Sequence, residues 1–153
     1  MKRRMLYALL AGIVIIAVVA GVQLLDGQKN TIDITIMEGQ DHLDQNVAQW
    51  IESTTSNKGI HLFYVLQEDG TYNYWLYFNK NSGENLYYKT RMNVSEETGK
   101  LKIWIAEDNA SNDSEVKDHI IAKFGLQKKP DEIDVYYNGA PHQFDVVAGS
   151  GSS

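Results

Sequence analysis

Apolar residues fill the chain from residue 5 to residue 22 without one charged side chain, directly after Lys2, Arg3 and Arg4. A run of about 18 apolar residues with no polar face is typical of a membrane-spanning helix and not of a helix on a globular core. Because cations stay on the cytoplasmic side, we predict a single transmembrane helix over residues 1–25, held in the membrane through residues 5–25. The N-terminus is then cytoplasmic, and the rest of the chain lies outside the cell.

The alternative is a signal peptide that is removed after export. Small or modest side chains around Ala20 offer a position for cleavage, which would release the domain as a secreted protein. The apolar region of a signal peptide is about 7–15 residues long, whereas a membrane span needs about 20. The length of this run therefore favours the permanent anchor.

Beyond the anchor, short runs alternate apolar with polar residues, and this period of two predicts strands. Asp69-Gly70 and Asn138-Gly139 lie between such runs and are typical of hairpin turns. The predicted strands are residues 32–36, 60–66, 72–78, 86–94, 101–106 and 133–137, with 144–147 as an optional last strand.

Two further segments repeat apolar residues at helical spacing. Asp41 is a candidate N-cap for the first helix, and Gly125 lies where the second would end. The apolar stripes are Leu43, Val47, Trp50 and Ile51 in the first helix and Val116, Ile120, Ile121 and Phe124 in the second.

This order of elements predicts an α+β fold. A mostly antiparallel meander of about five to seven strands carries two helices, packed on one face because each has a single apolar stripe. We place a short juxtamembrane linker at residues 26–31, the extracytoplasmic domain at residues 32–148 and a flexible tail at residues 149–153.

Alternation also divides the four central strands into two faces. One face is apolar enough to form the core and holds Leu62, Tyr64, Tyr74, Leu76, Phe78, Leu86, Tyr88, Met92, Val94, Leu101, Ile103 and Ile105.

The second face of these strands mixes aromatic rings with cations, which suits sugar rings, apolar side chains and carboxylates as ligands. Strands also favour aromatic residues for packing alone, which is the structural alternative. We predict a recognition surface on this second face, formed by Trp75, Tyr77, Tyr87, Lys89, Arg91 and Trp104. Replacing both of its tryptophans by Ala is expected to abolish partner capture and to leave the fold intact.

The charge balance narrows the choice of partners. The chain of 153 residues has a net charge of −6, with 14 Lys and Arg against 20 Asp and Glu. Three of those cations lie in residues 1–25, so the rest of the chain carries 11 cations against 20 acids. An acidic domain of this kind disfavours nucleic acid and anionic lipid as partners. The chain has no cysteine, which excludes disulfides, thiol nucleophiles and thiolate metal sites.

Residues with catalytic or ligating chemistry are scattered. The four histidines show no metal-ligand spacing, and the chain contains neither a nucleophile elbow nor a phosphate loop. Oxygen-bearing side chains alternate at Asn109, Ser111, Asp113 and Glu115 in the manner of a calcium loop, but the sharp-turn glycine is missing. A solvated turn that caps the following helix is the preferred interpretation. We therefore predict no cofactor and no metal.

These observations favour a membrane-tethered, extracytoplasmic interaction module without enzymatic activity. Its partner would be an envelope protein or a cell-wall component that it senses or modulates. The alternative is a tethered or secreted hydrolase that acts on wall glycan or peptide, with acids and His61 or His119 in its site. Convergence of such groups in a pocket would separate the two hypotheses.

Overall fold

The computed structural model describes residues 30–37, 43–80 and 88–150. Within them lie ten strands, one α-helix (α1) and a 3-10 turn at Asp113–Glu115. The elements are β1 Asn30–Ile32, β2 Thr35–Met37, α1 Gln45–Thr54, β3 Gly59–Leu66, β4 Tyr72–Asn79, β5 Tyr88–Glu97, β6 Lys100–Asn109, β7 His119–Leu126, β8 Glu132–Tyr137, β9 Ala140–His142 and β10 Val146–Ser150.

The strands form two five-stranded sheets. Sheet A has the order β1-β5-β6-β8-β9, and sheet B has the order β10-β3-β4-β7-β2. Neighbouring strands are antiparallel except for β6 with β8 and β3 with β10, which are parallel. The chain passes between the sheets from edge strand to edge strand, once between β1 and β2 and once between β9 and β10. The two sheets face each other as a sandwich, and the short connections at these two places join them along both edges.

The main core lies between the two sheets. Alternate residues of β4, β6 and β7 point into it, as a period of two requires. Its buried members are Ile60, Leu62, Tyr74, Leu76, Phe78, Val94, Leu101, Ile103, Ile105, Ala122, Phe124, Leu126 and Val135, with Tyr64 and Met92 among the partly buried side chains packed against them. The predicted apolar face thus corresponds to the inner faces of two sheets, except that Leu86 lies outside the described residues.

Helix α1 covers the outer face of sheet B and builds a second core there. Val47, Trp50 and Ile51 are buried against Phe63 and its neighbours on β4 and β7. The stripe is helical in period, as predicted, and the helix begins after Asp44; Asp41, the predicted cap, lies outside the described residues. Three hydroxyl side chains at its C-terminal end donate to carbonyls one turn back, and the bond from Thr55 satisfies the Glu52 carbonyl, one of those that a helix end leaves unpaired.

The second predicted helix is wrong, because its segment forms strand β7. Ile120, Ile121 and Phe124 fit a helical stripe, but Ile120 and Phe124 also fit a period of two that continues through Ala122 and Leu126. That second set fills the main core, while Ile121 faces α1 on the opposite side of sheet B. A strand with both faces buried carries apolar residues in adjacent positions, which sequence periodicity alone does not separate from a helix.

The single meander sheet is corrected as well. The single strand predicted over residues 32–36 is wrong, because this segment forms β1 and β2, which belong to different sheets. The other predicted strands divide between the two sheets, and β10 extends the optional last strand to Ser150, inside the predicted tail. The predicted transmembrane helix over residues 1–25 lies outside the described residues. Among those that are described, no helix combines the length and the apolar character needed to cross a membrane.

Candidate functional site

The structure divides the six predicted recognition residues between two surfaces. Trp75 and Tyr77 lie on β4 of sheet B, whereas Lys89, Arg91 and Trp104 lie on β5 and β6 of sheet A. The remaining residue, at position 87, is outside the described part of the chain. Because the two sheets face each other, their outer faces point in opposite directions. The six residues therefore do not form one face, since β4 and β5 follow each other along the chain but pair in different sheets.

Trp75 and Tyr77 belong to the core under α1. Trp75 is 1% exposed, its ring lies 6.3 Å from that of Phe63, and the Lys123 ammonium sits 5.1 Å from the Trp75 ring centroid. The ring of Tyr77 meets that of Trp50 edge-on at 6.3 Å, and burial raises the pKa of the Tyr77 hydroxyl. These rings stabilise the helix on its sheet and are not available to a partner.

Trp104 lies instead in a row of side chains that crosses the outer face of sheet A. Asn93, Trp104, Tyr136 and Pro141 are direct neighbours on β5, β6, β8 and β9, and directly opposed residues share a face. The Trp104 and Tyr136 rings stack with centroids 5.8 Å apart and planes inclined by 15°. We call these four residues the aromatic row.

No described element packs over the aromatic row. The helix contacts β3 of sheet B, and the strands of sheet A contact one another. Side chains on the outer face of sheet A are half-buried or exposed, except for Ser95 near β1, which is fully buried. Both rings of the row are half-buried, and within the described part of the chain no helix or strand lies over them.

Ion pairs surround the row on both sides. Arg91 Nε lies 2.5 Å from a carboxylate oxygen of Asp108, and Lys102 Nζ lies 2.5 Å from Glu97. The hydrogen bond from Lys102 to Glu97 raises the pKa of the lysine, and coulombic attraction adds to the effect. Lys89 lies 3.8 Å from a carboxylate oxygen of a loop glutamate. The cations predicted to attract an anionic ligand are thus neutralised by neighbours in the same chain.

A pocket of about 350 Å³ adjoins the row at the edge of sheet A. It is lined by residues 133–136 of β8, residues 141–144 and Val147 of β10. Tyr136 and Pro141 belong both to this edge pocket and to the aromatic row, so the two features form one continuous surface. The volume lies at the lower end of the range of about 300–1,000 Å³ that is usual for small-molecule sites.

The calcium candidate is a loop whose groups bind one another. A Glu115 carboxylate oxygen accepts the Ser111 N–H at 2.8 Å and lies 3.8 Å from Lys89. The Ser114 hydroxyl donates to the side chain of Asn112. Within residues 30–37, 43–80 and 88–150, no cluster of three or more acidic or histidine side chains could hold a metal ion.

Sequence reasoning considered Asp134 only as one of the acids of a hydrolase, and it placed neither Asp134 nor Tyr136 on the recognition surface. The alternation of Ile133, Val135 and Tyr137 places both on the opposite side of β8, but it does not show which strand lies beside them. The parallel pairing that brings Tyr136 next to Trp104 joins segments about 30 residues apart in sequence. Comparison with known protein families, curated proteins and solved structures finds no match to this chain.

Proposed function

We propose that this chain is a membrane-tethered, extracytoplasmic binding module without enzymatic activity, which senses or modulates an envelope protein or a cell-wall component. The observation that carries the proposal is the Trp104–Tyr136 stack on a sheet face that no described element covers. Trp and Tyr are enriched where proteins bind partners, because large rigid rings lose little conformational freedom on binding.

The chemistry of this face favours a ligand with flat apolar surfaces and hydroxyl or amide groups. The two rings supply the apolar contact area, and sugar rings and apolar side chains both stack on such faces. The surrounding ion pairs, among them Arg91 with Asp108, supply charged hydrogen-bonding groups of both signs. Wall glycans, wall peptides and protein surfaces all combine these features.

The tether is supported by the apolar run and the cations that precede it. Strand β1 begins at Asn30, so few residues separate the predicted anchor from the sandwich. The excess of acids after residue 25 disfavours contact of the domain with anionic lipid. An anchored acidic domain close to the bilayer suits recognition of a neighbour in the envelope.

The alternative hypothesis of a hydrolase places acids and His61 or His119 in the active site. His61 is fully buried, and its Nε2 lies 3.2 Å from the Asn57 carbonyl in the turn that follows α1. Its imidazole stacks on the ring of Tyr77, within the core that α1 covers. Such a histidine holds the helix to the sheet and does not reach a polymeric substrate.

The test compares two binding measurements on the full chain. Purified cell walls are sedimented with the chain in mild detergent, and the chain is photo-crosslinked to its neighbours in isolated membranes. We expect at least one measurement to give saturable capture, and Trp104→Ala together with Tyr136→Ala to reduce that capture by about tenfold or more. Ile36→Ala removes an exposed apolar side chain from sheet B, and this control is expected to bind as the native chain does.

Two results would overturn the proposal. One is the absence of saturable capture in both measurements. The other is undiminished capture by the double variant while its circular dichroism stays native. Trp75→Ala is unsuitable as a test of binding, because Trp75 lies in the core.

A further inference from the structure

We propose that the edge pocket binds an extended peptide segment in which an apolar residue lies next to a cationic one, Lys or Arg. This inference rests on the proposed function, since Tyr136 belongs to both the pocket and the aromatic row. Three observations carry it: an available carboxylate, an open strand edge and an apolar floor.

The available carboxylate is that of Asp134, on the outer face of β8. Asp134 is half-buried and lines the pocket, and it makes neither an ion pair nor a hydrogen bond with any residue that the structure describes. Its negative charge contributes to the raised pKa of Lys100 and of Lys102. However, Lys100 forms its ion pair with Glu132, and Lys102 forms its ion pair with Glu97. An incoming cation would therefore be the first direct partner of Asp134, and the Tyr136 ring beside it offers a π face.

The open strand edge is the backbone of β8 at Ile133. The pairing of β8 with β9 ends where Val135 lies opposite His142, and the chain then continues to β10 of sheet B. The Asn138 N–H donates to the Ile105 carbonyl on β6, so alternate residues of β8 face β6 and the others, including Ile133, face β9. Among the described residues, the Ile133 N–H and carbonyl make no hydrogen bond to a backbone group outside the paired strands. They offer one donor and one acceptor to an added peptide residue.

The floor of the pocket is apolar. Ile133 and Phe144 pack against the main core, and Val147, which is 56% exposed, lies across from them on β10. A peptide residue that pairs with Ile133 directs its side chain toward this floor, because paired residues share a face. The next residue of the peptide then points to the outer face, where Asp134 lies. Strand geometry thus requires an apolar residue adjacent to a cationic one.

The experiment titrates the full chain in detergent micelles with three acetylated and amidated tripeptides, Val-Lys-Val, Val-norleucine-Val and Val-Glu-Val. Binding is followed by calorimetry and by the NMR shift of the Ile133 amide. We expect the lysine peptide to bind at least about tenfold more tightly than the norleucine peptide, and the glutamate peptide to bind most weakly. Butylamine alone is expected to bind more weakly than the lysine peptide, because it makes no contact with the strand edge.

Two matched variants separate the pocket from its surroundings. Asp134→Asn should abolish the preference for lysine over norleucine, whereas Glu132→Gln, the same change on an exposed residue of the same strand, should retain it. Equal affinity for lysine and norleucine peptides in the native chain, an unchanged preference in Asp134→Asn, or butylamine binding as tightly as the peptide would each overturn the proposal. So would the absence of saturable binding up to about 10 mM peptide.

The same titration distinguishes failure of the pocket from failure of the proposed function. Trp104 belongs to the aromatic row but does not line the pocket, so the effect of Trp104→Ala on affinity for the lysine peptide is compared with its effect on envelope capture. Loss of wall or envelope capture in that variant together with retained peptide binding supports both proposals. If the chain binds the lysine peptide but captures no envelope component, the proposal of a peptide-binding pocket stands and the proposed function is rejected.

Discussion

The carboxylate of Asp145 lies against Gly59, in the space that a Cβ at Gly59 would occupy. One of its oxygens accepts the Ile60 N–H at 2.8 Å, and the Asp145 N–H donates to the Ile60 carbonyl at 2.8 Å. Gly59 has a φ of +125°, which side chains rarely tolerate. This contact begins the parallel pairing of β10 with β3 and so joins the last strand to the first strand after the helix.

We expect Gly59→Ala to lower the free energy of unfolding by about 2–3 kcal/mol, because it combines backbone strain with loss of the Asp145 hydrogen bond. Urea unfolding of the full chain in mild detergent, followed by circular dichroism, measures the change. Gly70→Ala is the control: Gly70 has a φ of +84° with no heavy atom within 4 Å, so only strain of about 1 kcal/mol is expected. Equal losses in the two variants would contradict a role for the Asp145 contact.

A second relationship joins the two sheets at one end of the sandwich. Glu107 on β6 binds Lys80 Nζ at 2.8 Å through one oxygen and accepts the Tyr137 hydroxyl at 2.5 Å through the other. The Lys80 and Glu107 side chains are 12% and 14% exposed. The arrangement places a nearly buried ion pair between the residue after β4, in sheet B, and two strands of sheet A.

We expect Glu107→Gln to destabilise the chain by about 2 kcal/mol, since it leaves the Lys80 ammonium with little solvent and no carboxylate. The matched change Glu132→Gln removes an exposed pair with Lys100 and should have little effect. Thermal unfolding of both variants at pH 7 gives the comparison. A loss in Glu132→Gln as large as that in Glu107→Gln would mean that burial of the pair is unimportant.

The local patterns of this chain are read well from sequence. Asn138-Gly139 predicts a two-residue hairpin, and the structure has both residues at positive φ, between β8 and β9. The spacing of Val47, Trp50 and Ile51 likewise predicts α1 and the face that it buries. In each case the residues that determine the element lie within the element itself, so the local sequence pattern is sufficient to predict it.

The arrangement of the strands was not accessible in the same way. Trp75 and Trp104 both occupy outward positions on their strands, but one lies beneath α1 and the other in the aromatic row. The difference depends on β4 pairing with β7 and β6 pairing with β8, contacts between distant segments that leave no local pattern. Position 87, the remaining aromatic residue of the predicted face, stays a prediction.

The stability of the sandwich should also depend on alkaline pH through two tyrosines. Desolvation, with smaller contributions from Tyr72 and Tyr64, raises the pKa of Tyr74 to about 12. Desolvation and the hydrogen bond to Glu107 raise the pKa of Tyr137 to about 12. An unfolded tyrosine has a pKa of about 10, so between about pH 10 and 12 the folded chain binds more protons than the unfolded chain. The tyrosine contribution is therefore complete below about pH 10 and is lost as pH rises through this window.

We expect Tyr74→Phe to leave the free energy of unfolding at pH 7 within about 0.5 kcal/mol of the native value, because the buried Tyr74 hydroxyl has no hydrogen-bond partner among the described residues. Its loss of stability between about pH 10 and 12 should be smaller than that of the native chain. Tyr137→Phe should differ by losing stability at pH 7 as well, since it breaks the bond to Glu107. Urea unfolding at pH 7, 10, 11 and 12 measures all three chains, and lysine deprotonation affects them alike. An alkaline loss in Tyr74→Phe as steep as the native one would mean that the buried hydroxyl does not titrate with folding.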